Sequence, residues 1–369
     1  MLDVRRLRLL RELAHRGTIA AVAEALSFSP SAVSQQLGAL EREAGVALLE
    51  RTGRRVALTP AARRLVTHAE AVLAHLELAA AELADARRGL AGPLRIGTFP
   101  SAARVVIPPA LVELAALHPD LEPMVAEVDP AGVADLLRSG ELDVALVHDY
   151  DFVPAPPQPG VRSEPLFTEP MYLARPSDEP HRAGEPADPT DPTDPDAPPA
   201  PPDSPELTKS AAPAPDAGSG PPLGALARWH AEPWIVAVPG TLCHAMAVRA
   251  CQAAGFAPRI RHRVDDFATV LALVAAGQGV ALVPELGTLD PPPGVLLERV
   301  AMSRRTAVAC REGAGAHPAV AAFAAAVRTA LPARLRPPRE SRRAIRAGRP
   351  LCCSRNDQSP ALPSPHPRV

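Results

Sequence analysis

Apolar positions in the first sixty residues recur at helical spacing in three short blocks. Val4, Leu7, Leu10 and Ala14 share one face of a segment that Gly17 closes. Thr18 stands as a cap before a second segment carrying Ile19, Val22, Ala23 and Leu26. After Ser27 and Phe28, Ser29 can cap and Pro30 can start a third helix with the stripe Val33, Leu37, Leu40 and Ala44. Short helices separated by a tight turn predict a helix-turn-helix. From Leu49 the pattern changes to two short extended runs about Gly53, a hairpin carrying Arg51, Arg54 and Arg55. Beyond Pro60, the residues Leu65, Ala69, Val72, Leu76, Ala79, Leu83, Ala86 and Leu90 lie three and four apart, an a/d heptad. They predict one helix to Leu90, a rod of roughly 45 Å whose seam needs a second helix. The plain alternative is an amphipathic helix lying on its own chain.

From Leu94 to Ala330 strand and helix signals alternate, which predicts an α/β module of two parallel-sheet lobes. The strands expected are 94–98, 124–128, 142–147, 234–238, one near Arg261, and 280–283. Two crossings, 166–174 and 285–300, are expected to join the lobes as a hinge. Ligands in such sheets sit beyond the carboxyl ends of strands, near helix N-termini that favour anions. Two turns qualify: Thr98-Phe99-Pro100-Ser101 and the turn containing Gly240 and Thr241, with His148 placed to line the same cleft. The competing reading makes Ser101 and Thr241 ordinary helix caps and His148 a loop residue.

Charge sharpens the division of the chain. Residues 1–64 hold eleven arginines against six acids, a net of +5, whereas 176–222 hold ten acids, two bases and fifteen prolines, a net of −8. That stretch cannot offset its ordering entropy by burial and is expected to be a disordered insert; the Arg/Pro-rich run from Pro332 is expected to be a disordered basic tail. The predicted order is therefore a head (1–59), a linker helix (60–91), an α/β module (92–331, interrupted by 176–222) and a tail (332–369).

Lys209 is the single lysine, which leaves P-loop, Schiff-base and kinase-type chemistry without a lysine elsewhere. No G-x-S-x-G and no H-E-x-x-H occurs, and Gly277-Gln278-Gly279 is an incomplete glycine run, so catalysis is not expected. Five cysteines without C-x-x-C spacing suggest neither a disulfide framework nor a metal site. His68 and His75 read as surface residues. The N-terminal run lacks a signal-peptide core and no stretch reaches membrane-span length, so the expected location is the cytoplasm.

The exposed side of the third helix shows Ser31, Ser34 and Gln35, groups suited to base edges in a major groove, and the hairpin arginines suit phosphates. A three-helix packing domain with a solvated hairpin is the bland alternative. The runs Ala20–Leu26 and Ser31–Leu37, the pair Leu40-Glu41, and Glu50–Arg55 through Leu58-Thr59-Pro60-Ala61 resemble the winged helix-turn-helix of LysR-type transcriptional regulators. Gly97-Thr98-Phe99, the segment 140–146, Gly255-Phe256 and the segment 275–284 are similar to the effector-binding domain of that family, akin to periplasmic solute-binding proteins.

The resemblance implies a regulator that binds double-stranded DNA and is modulated by a small-molecule effector; the N–H donors of the two turns at Ser101 and Thr241 make a carboxylate the expected class. It implies no cofactor. Pro30, Ser31, Ser34 and Gln35 then fall at base- and backbone-contacting positions and Arg51, Arg54 and Arg55 in the wing, although many members carry Arg where this chain has Gln35. The linker helix would form a homodimer, able to assemble into a tetramer, through Leu65, Ala69, Val72, Leu76, Ala79 and Leu83. A solute-binding module without DNA function is the alternative, and it leaves the basic head without a purpose.

Overall fold

Three side-chain oxygens begin the fold. Those of Asp3, Thr18 and Ser29 accept hydrogen bonds from the first free amides of α1 (Val4–Arg16), α2 (Ile19–Ala25) and α3 (Pro30–Ala44). Gly17 and Gly45 end α1 and α3 at φ of 75° and 67°, backbone that a side chain would strain. The computed structural model describes residues 1–52, 55–85, 90–177 and 223–336, with the backbone alone at 51, 52, 55, 85 and 223.

Leu7, Leu10, Val22, Val33, Leu37 and Leu40 form one core beneath α4 (Pro60–Asp85). The buried stripe of α1 differs from the expected one: Val4 and Ala14 are exposed, while Leu9, Arg11, Glu12 and Leu13 are buried. The reason is tertiary, since α1 is covered on a second side by another part of the chain. Strands β1 (Leu49–Thr52) and β2 (Arg55–Leu58) pair antiparallel, Leu49 opposite Leu58. Glu41 fixes this hairpin to α3 by accepting from the amides of Leu48 and Leu49 at 2.9 and 3.0 Å.

Helix α4 has 26 residues, about 39 Å, and is capped by Thr59. The predicted helix ran to Leu90; Leu90 is not helical, and Ala86 lies outside the described residues. Pro93 follows, and Gly92 adopts φ 93°.

Strands β3 (Gly92–Thr98), β4 (Leu121–Glu127) and β5 (Val144–Tyr150) run parallel, as expected for a first lobe. The helix predicted after β3 is two: α5 (Pro100–Val105) and α6 (Ile107–Leu117), broken at Val106, with Pro108 and Pro109 opening the second. Helix α7 (Pro130–Ser139) joins β4 to β5. The expectation of separate parallel sheets is corrected by two long strands, β6 (Val161–Pro176) and β10 (Val295–Arg311). They pair antiparallel along their length and merge both lobes in one mixed sheet, with order β4-β3-β5-β10-β6-β9, where β9 is Ala281–Pro284. The second lobe adds the parallel pair β7 (Pro233–Val236) and β8 (Arg259–Arg263), with α8 (Leu242–Ala253) and α9 (Phe267–Ala275).

Helix α10 (Pro318–Ala330) returns to the first lobe. Phe323 and Val327 of α10 pack with Ile96, Ile107 and Leu114 on one face of the sheet. On the other face Val133 and Leu137 of α7 meet Leu142, Ala145 and Ala309. Trp234, Met246, Cys251 and Leu282 centre the second lobe.

The starts of the expected insert and tail shift. Pro176 pairs with Val295 in the sheet and the Ser177 amide donates to Gly294, so these two residues belong to the fold; the remaining residues, 178–222, lie outside the described set. The turn Ala333–Leu335 packs Leu335 into the first-lobe core, so the stretch from Pro332 to Arg336 is not tail, and 337–369 lies outside the described residues.

Candidate nucleic-acid interface and ligand cleft

On α3 the buried stripe of Val33, Leu37 and Leu40 leaves the opposite side to solvent, and Pro30, Ser31, Ser34 and Gln35 are all exposed there. The Ser31 hydroxyl lies 3.0 Å from that of Ser29, while Ser34 and Gln35 form no hydrogen bond among the described residues. Arg51 and Arg55 lie on β1 and β2 beside the hairpin turn; Arg54 and the side chains of Arg51 and Arg55 lie outside the described residues.

The head's basic surplus is not all outward. Arg6 pairs with Glu43 and donates to Gln36, and Arg11 and Arg16 grip the fully buried Glu12 at 2.8 and 2.9 Å. Arg8 donates to the carbonyls of Ser139 and Arg138 at 2.7 and 3.3 Å. Arg5, Arg42, Arg63 and Arg64 remain exposed.

Along α4, Val72, Leu76, Ala79 and Leu83 are exposed, an apolar stripe uncovered in the single chain. Ala69 departs from the predicted seam: it is fully buried in the chain's own head core, with Leu65 partly packed beside it. The reading of α4 as a helix resting on its own chain thus holds for that face.

The two expected ligand turns are built differently. Thr98 is fully buried, its hydroxyl 3.4 Å from the Phe99 carbonyl, and Pro100 is exposed. Ser101 is not a cap; Phe99 occupies that position without a side-chain bond, and the Ser101 hydroxyl accepts from Arg304 at 3.0 Å. Thr241 is the cap of α8, accepting from the His244 amide at 3.2 Å and donating to the Val238 carbonyl at 2.9 Å, after Gly240 at φ 96°. The cap reading is therefore right for Thr241 and wrong for Ser101. His148 is a strand residue, not a loop residue, and is buried between the rings of Phe99 and Tyr150. Among the described residues neither imidazole nitrogen has a partner, and its cross-strand neighbour Thr306 also has an unpartnered hydroxyl. Burial and the nearby Arg304 charge push the His148 pKa well below the usual histidine range.

The centre of this cluster escaped sequence reading. Arg304 on β10 and Glu169 on β6, directly opposite in register, form a buried ion pair at 2.7 Å. Glu169 also accepts from the Leu286 amide at 2.7 Å, and the guanidinium stacks 4.8 Å over Phe99. One pair thus ties both crossings to the start of α5. Glu169 lay in a predicted crossing; Arg304 lay beyond the expected end of the other, and a charged position within a strand gives no sign of its buried partner. Tyr150 adds a link across the lobes, its hydroxyl 3.2 Å from the Cys243 sulfur on α8. Burial pushes both groups' pKa values up. No group of three metal-ligating side chains occurs among the described residues, and no described helix is long and apolar enough to cross a membrane.

Comparison with known proteins places these two surfaces in one lineage. Residues 4–63 match the family of bacterial regulatory helix-turn-helix proteins, lysR family, and 87–194 with 210–332 match the LysR substrate binding domain. A probable hydrogen peroxide-inducible genes activator of Mycobacterium xenopi is 37% identical over 174 residues, 47% of this chain and 89% of the other. The uncharacterized HTH-type transcriptional regulator YcgK of Bacillus subtilis is 26% identical over 296 residues, covering 80% of this chain and 84% of its own. Full-length OxyR from Pseudomonas aeruginosa, a point variant, shares the fold at a TM-score of 0.54 and 22% identity, over 91% of this chain and 97% of the other. With a helix-turn-helix match and a substrate-domain match spanning most of its length, the chain belongs to the LysR family of DNA-binding transcriptional regulators.

Proposed function

We propose that this regulator works in the cytoplasm as a homodimer, able to form a tetramer, that reads an interrupted palindrome and responds to a small carboxylate-bearing effector. It acts by binding and carries no catalytic centre. In this reading Pro30, Ser31, Ser34 and Gln35 touch base edges and backbone, while Arg51, Arg54 and Arg55 hold phosphates. Val72, Leu76, Ala79 and Leu83 meet a second copy of α4. The observation that carries the DNA reading is the polar, exposed face of α3 set over the buried Val33, Leu37 and Leu40. Selection of fragments from a random DNA pool by the full chain tests it; an enriched two-fold motif is expected, and retention of DNA without any enriched motif would overturn it.

The effector cleft is proposed between Thr98, Phe99, Pro100, Ser101 and His148 on one lobe and Gly240 and Thr241 on the other. A ligand there competes with Arg304 for the Ser101 hydroxyl and reaches the N-terminus of the twelve-residue α8. Ser101→Ala and Thr241→Ala are expected to shrink the thermal stabilisation given by an active carboxylate found in a metabolite screen, with ligand-free DNA affinity kept. Full response in the double variant would place the effector elsewhere.

A second reading, response to peroxide through a thiol, follows the name of the mycobacterial relative. The thiolate is the reactive form of cysteine, and burial raises the pKa of Cys243 and pushes that of Cys251 up to about 12. The chemistry of the cleft therefore favours ligand binding over thiol oxidation.

A further inference from the structure

We propose that α7 is a strut that couples the ligand cleft to the DNA-binding head, gripped at its head end by Arg8, Arg11 and Arg16 of α1. The inference rests on the function proposed above only for its final, DNA-dependent step.

The topology places the two ends of α7 at opposite poles of the first lobe. Its N-cap, Asp129, follows the carboxyl end of β4, where the cleft opens, and its carboxylate accepts from the Ala131 amide at 2.9 Å. The C-terminal end, Ser139 and Gly140, lies near the amino ends of the strands, where α1 docks. Between them Val133 and Leu137 are buried against the sheet, which makes these ten residues, about 15 Å, a stiff connection.

At the head end the contact is chemically specific. The last carbonyls of a helix have no partner within it and carry the negative end of its dipole. Arg8 donates to the carbonyls of Arg138 and Ser139, Arg11 to that of Arg138 at 3.3 Å, and Arg16 to that of Asp135 at 3.4 Å while lying 3.6 Å from its carboxylate. The linker helix joins the same junction: Arg311, at the end of β10, pairs with Glu77 at 2.8 Å, and a Cβ at Gly313 would overlap the Ala74 carbonyl. The junction surrounds a cavity of about 490 Å³ lined by Arg8, Arg11, Glu70, Arg138 and Arg311. A contact held by arginine–carbonyl hydrogen bonds and ion pairs can loosen without exposing a hydrophobic core. Docking leaves Ser31, Ser34 and Gln35 exposed, so it orients the recognition helix relative to the lobe and does not cover it.

Backbone hydrogen exchange on the full chain tests the strut in two arms. Without DNA, Asp129→Ala removes the cap at the cleft end; amides of α1 are expected to exchange at least about threefold faster while those of α10, on the opposite face of the sheet, hold. This effect should be much reduced when Asp129→Ala is added to Arg8→Ala/Arg16→Ala, in which two of the three gripping arginines are already gone. Unchanged α1 exchange in Asp129→Ala would overturn the proposal, as would loosening of α10 in equal measure, which marks general destabilisation.

With DNA fragments selected by the chain itself, linkage requires the effect to run in reverse: bound DNA should alter exchange at 129–140 in the parent chain. Arg8→Ala/Arg16→Ala should keep DNA affinity within about threefold yet lose that response. A response that persists in the double variant overturns the strut. Failure to select any DNA bears on the proposed function alone, since the first arm needs none.

Discussion

At the scale of single residues the contrast is between side chains that face out and side chains that face in. Gln35 is exposed on α3 and free among the described residues, so Gln35→Ala is expected to relax base preference at one position, at a cost of about 1–3 kcal/mol on the selected sequence and little on random DNA. Arg54→Ala should weaken all DNA alike and lower the salt slope by about one phosphate contact. Equal losses on selected and random DNA for Gln35→Ala would remove it from base reading. Inward, His148 titrates below its ordinary range because it is buried beside Arg304. Between the unfolded and folded pKa values the unfolded chain binds a proton that the native one refuses, so stability is full above about pH 6.5 and falls as the pH drops below it. Urea midpoints measured from about pH 7 to pH 5 should fall less steeply for His148→Phe than for the parent.

Among the elements, α4 shows how far periodicity reaches. The three-and-four spacing of its apolar residues was legible, and so was its start at Pro60. Which partner each position meets was not, because a heptad specifies a stripe and not the surface that covers it. Ala69 turned out to belong to the head, while Leu76 and Leu83 are 49% and 71% exposed. Leu76→Asp is therefore expected to disrupt self-association with little effect on the monomer fold, read as a drop in sedimentation coefficient together with lost affinity for selected DNA. An unchanged oligomer would move the interface off this stripe. Strand β10 marks the opposite limit. Its centre reads Ser303-Arg304-Arg305, a polar stretch in sequence, yet Arg304 is buried because Glu169 stands opposite. Glu169→Gln should accordingly cost about 3–5 kcal/mol by leaving a buried charge without its counterion, seen as a lower urea midpoint.

For the molecule as a whole, the acidic segment is the test of modularity. Its flanks are fixed, Pro176 and Ser177 against Val295 and Gly294 on one side and the turn Leu223–Trp229 on the other. Deleting 178–222 and closing the gap with a short flexible linker is expected to keep the melting temperature within a few degrees, because the segment's composition offers little apolar surface to lose. A large fall in a thermal melt would show that it contributes to the core.

The sequence by itself determined the head, the long helix, the α/β alternation and the family, because each is written in local pattern: capping residues, helical spacing, turn glycines and contiguous motifs. It also singled out Ser101, His148 and Thr241 by their expected place after strands, although His148 lies within β5. Thr241 caps α8, a local role open to sequence; tertiary structure alone decided that Ser101 accepts from Arg304 and that His148 is sealed between aromatic rings. It likewise decided that Arg8, Arg11 and Arg16, counted in sequence with the DNA-facing charge, hold the end of α7. For Ser101 and the three arginines the physical reason is the same. A residue's propensity is local, but the partner that compensates a buried charge or an open carbonyl is brought from more than a hundred residues away by the chain's path, which no local pattern encodes.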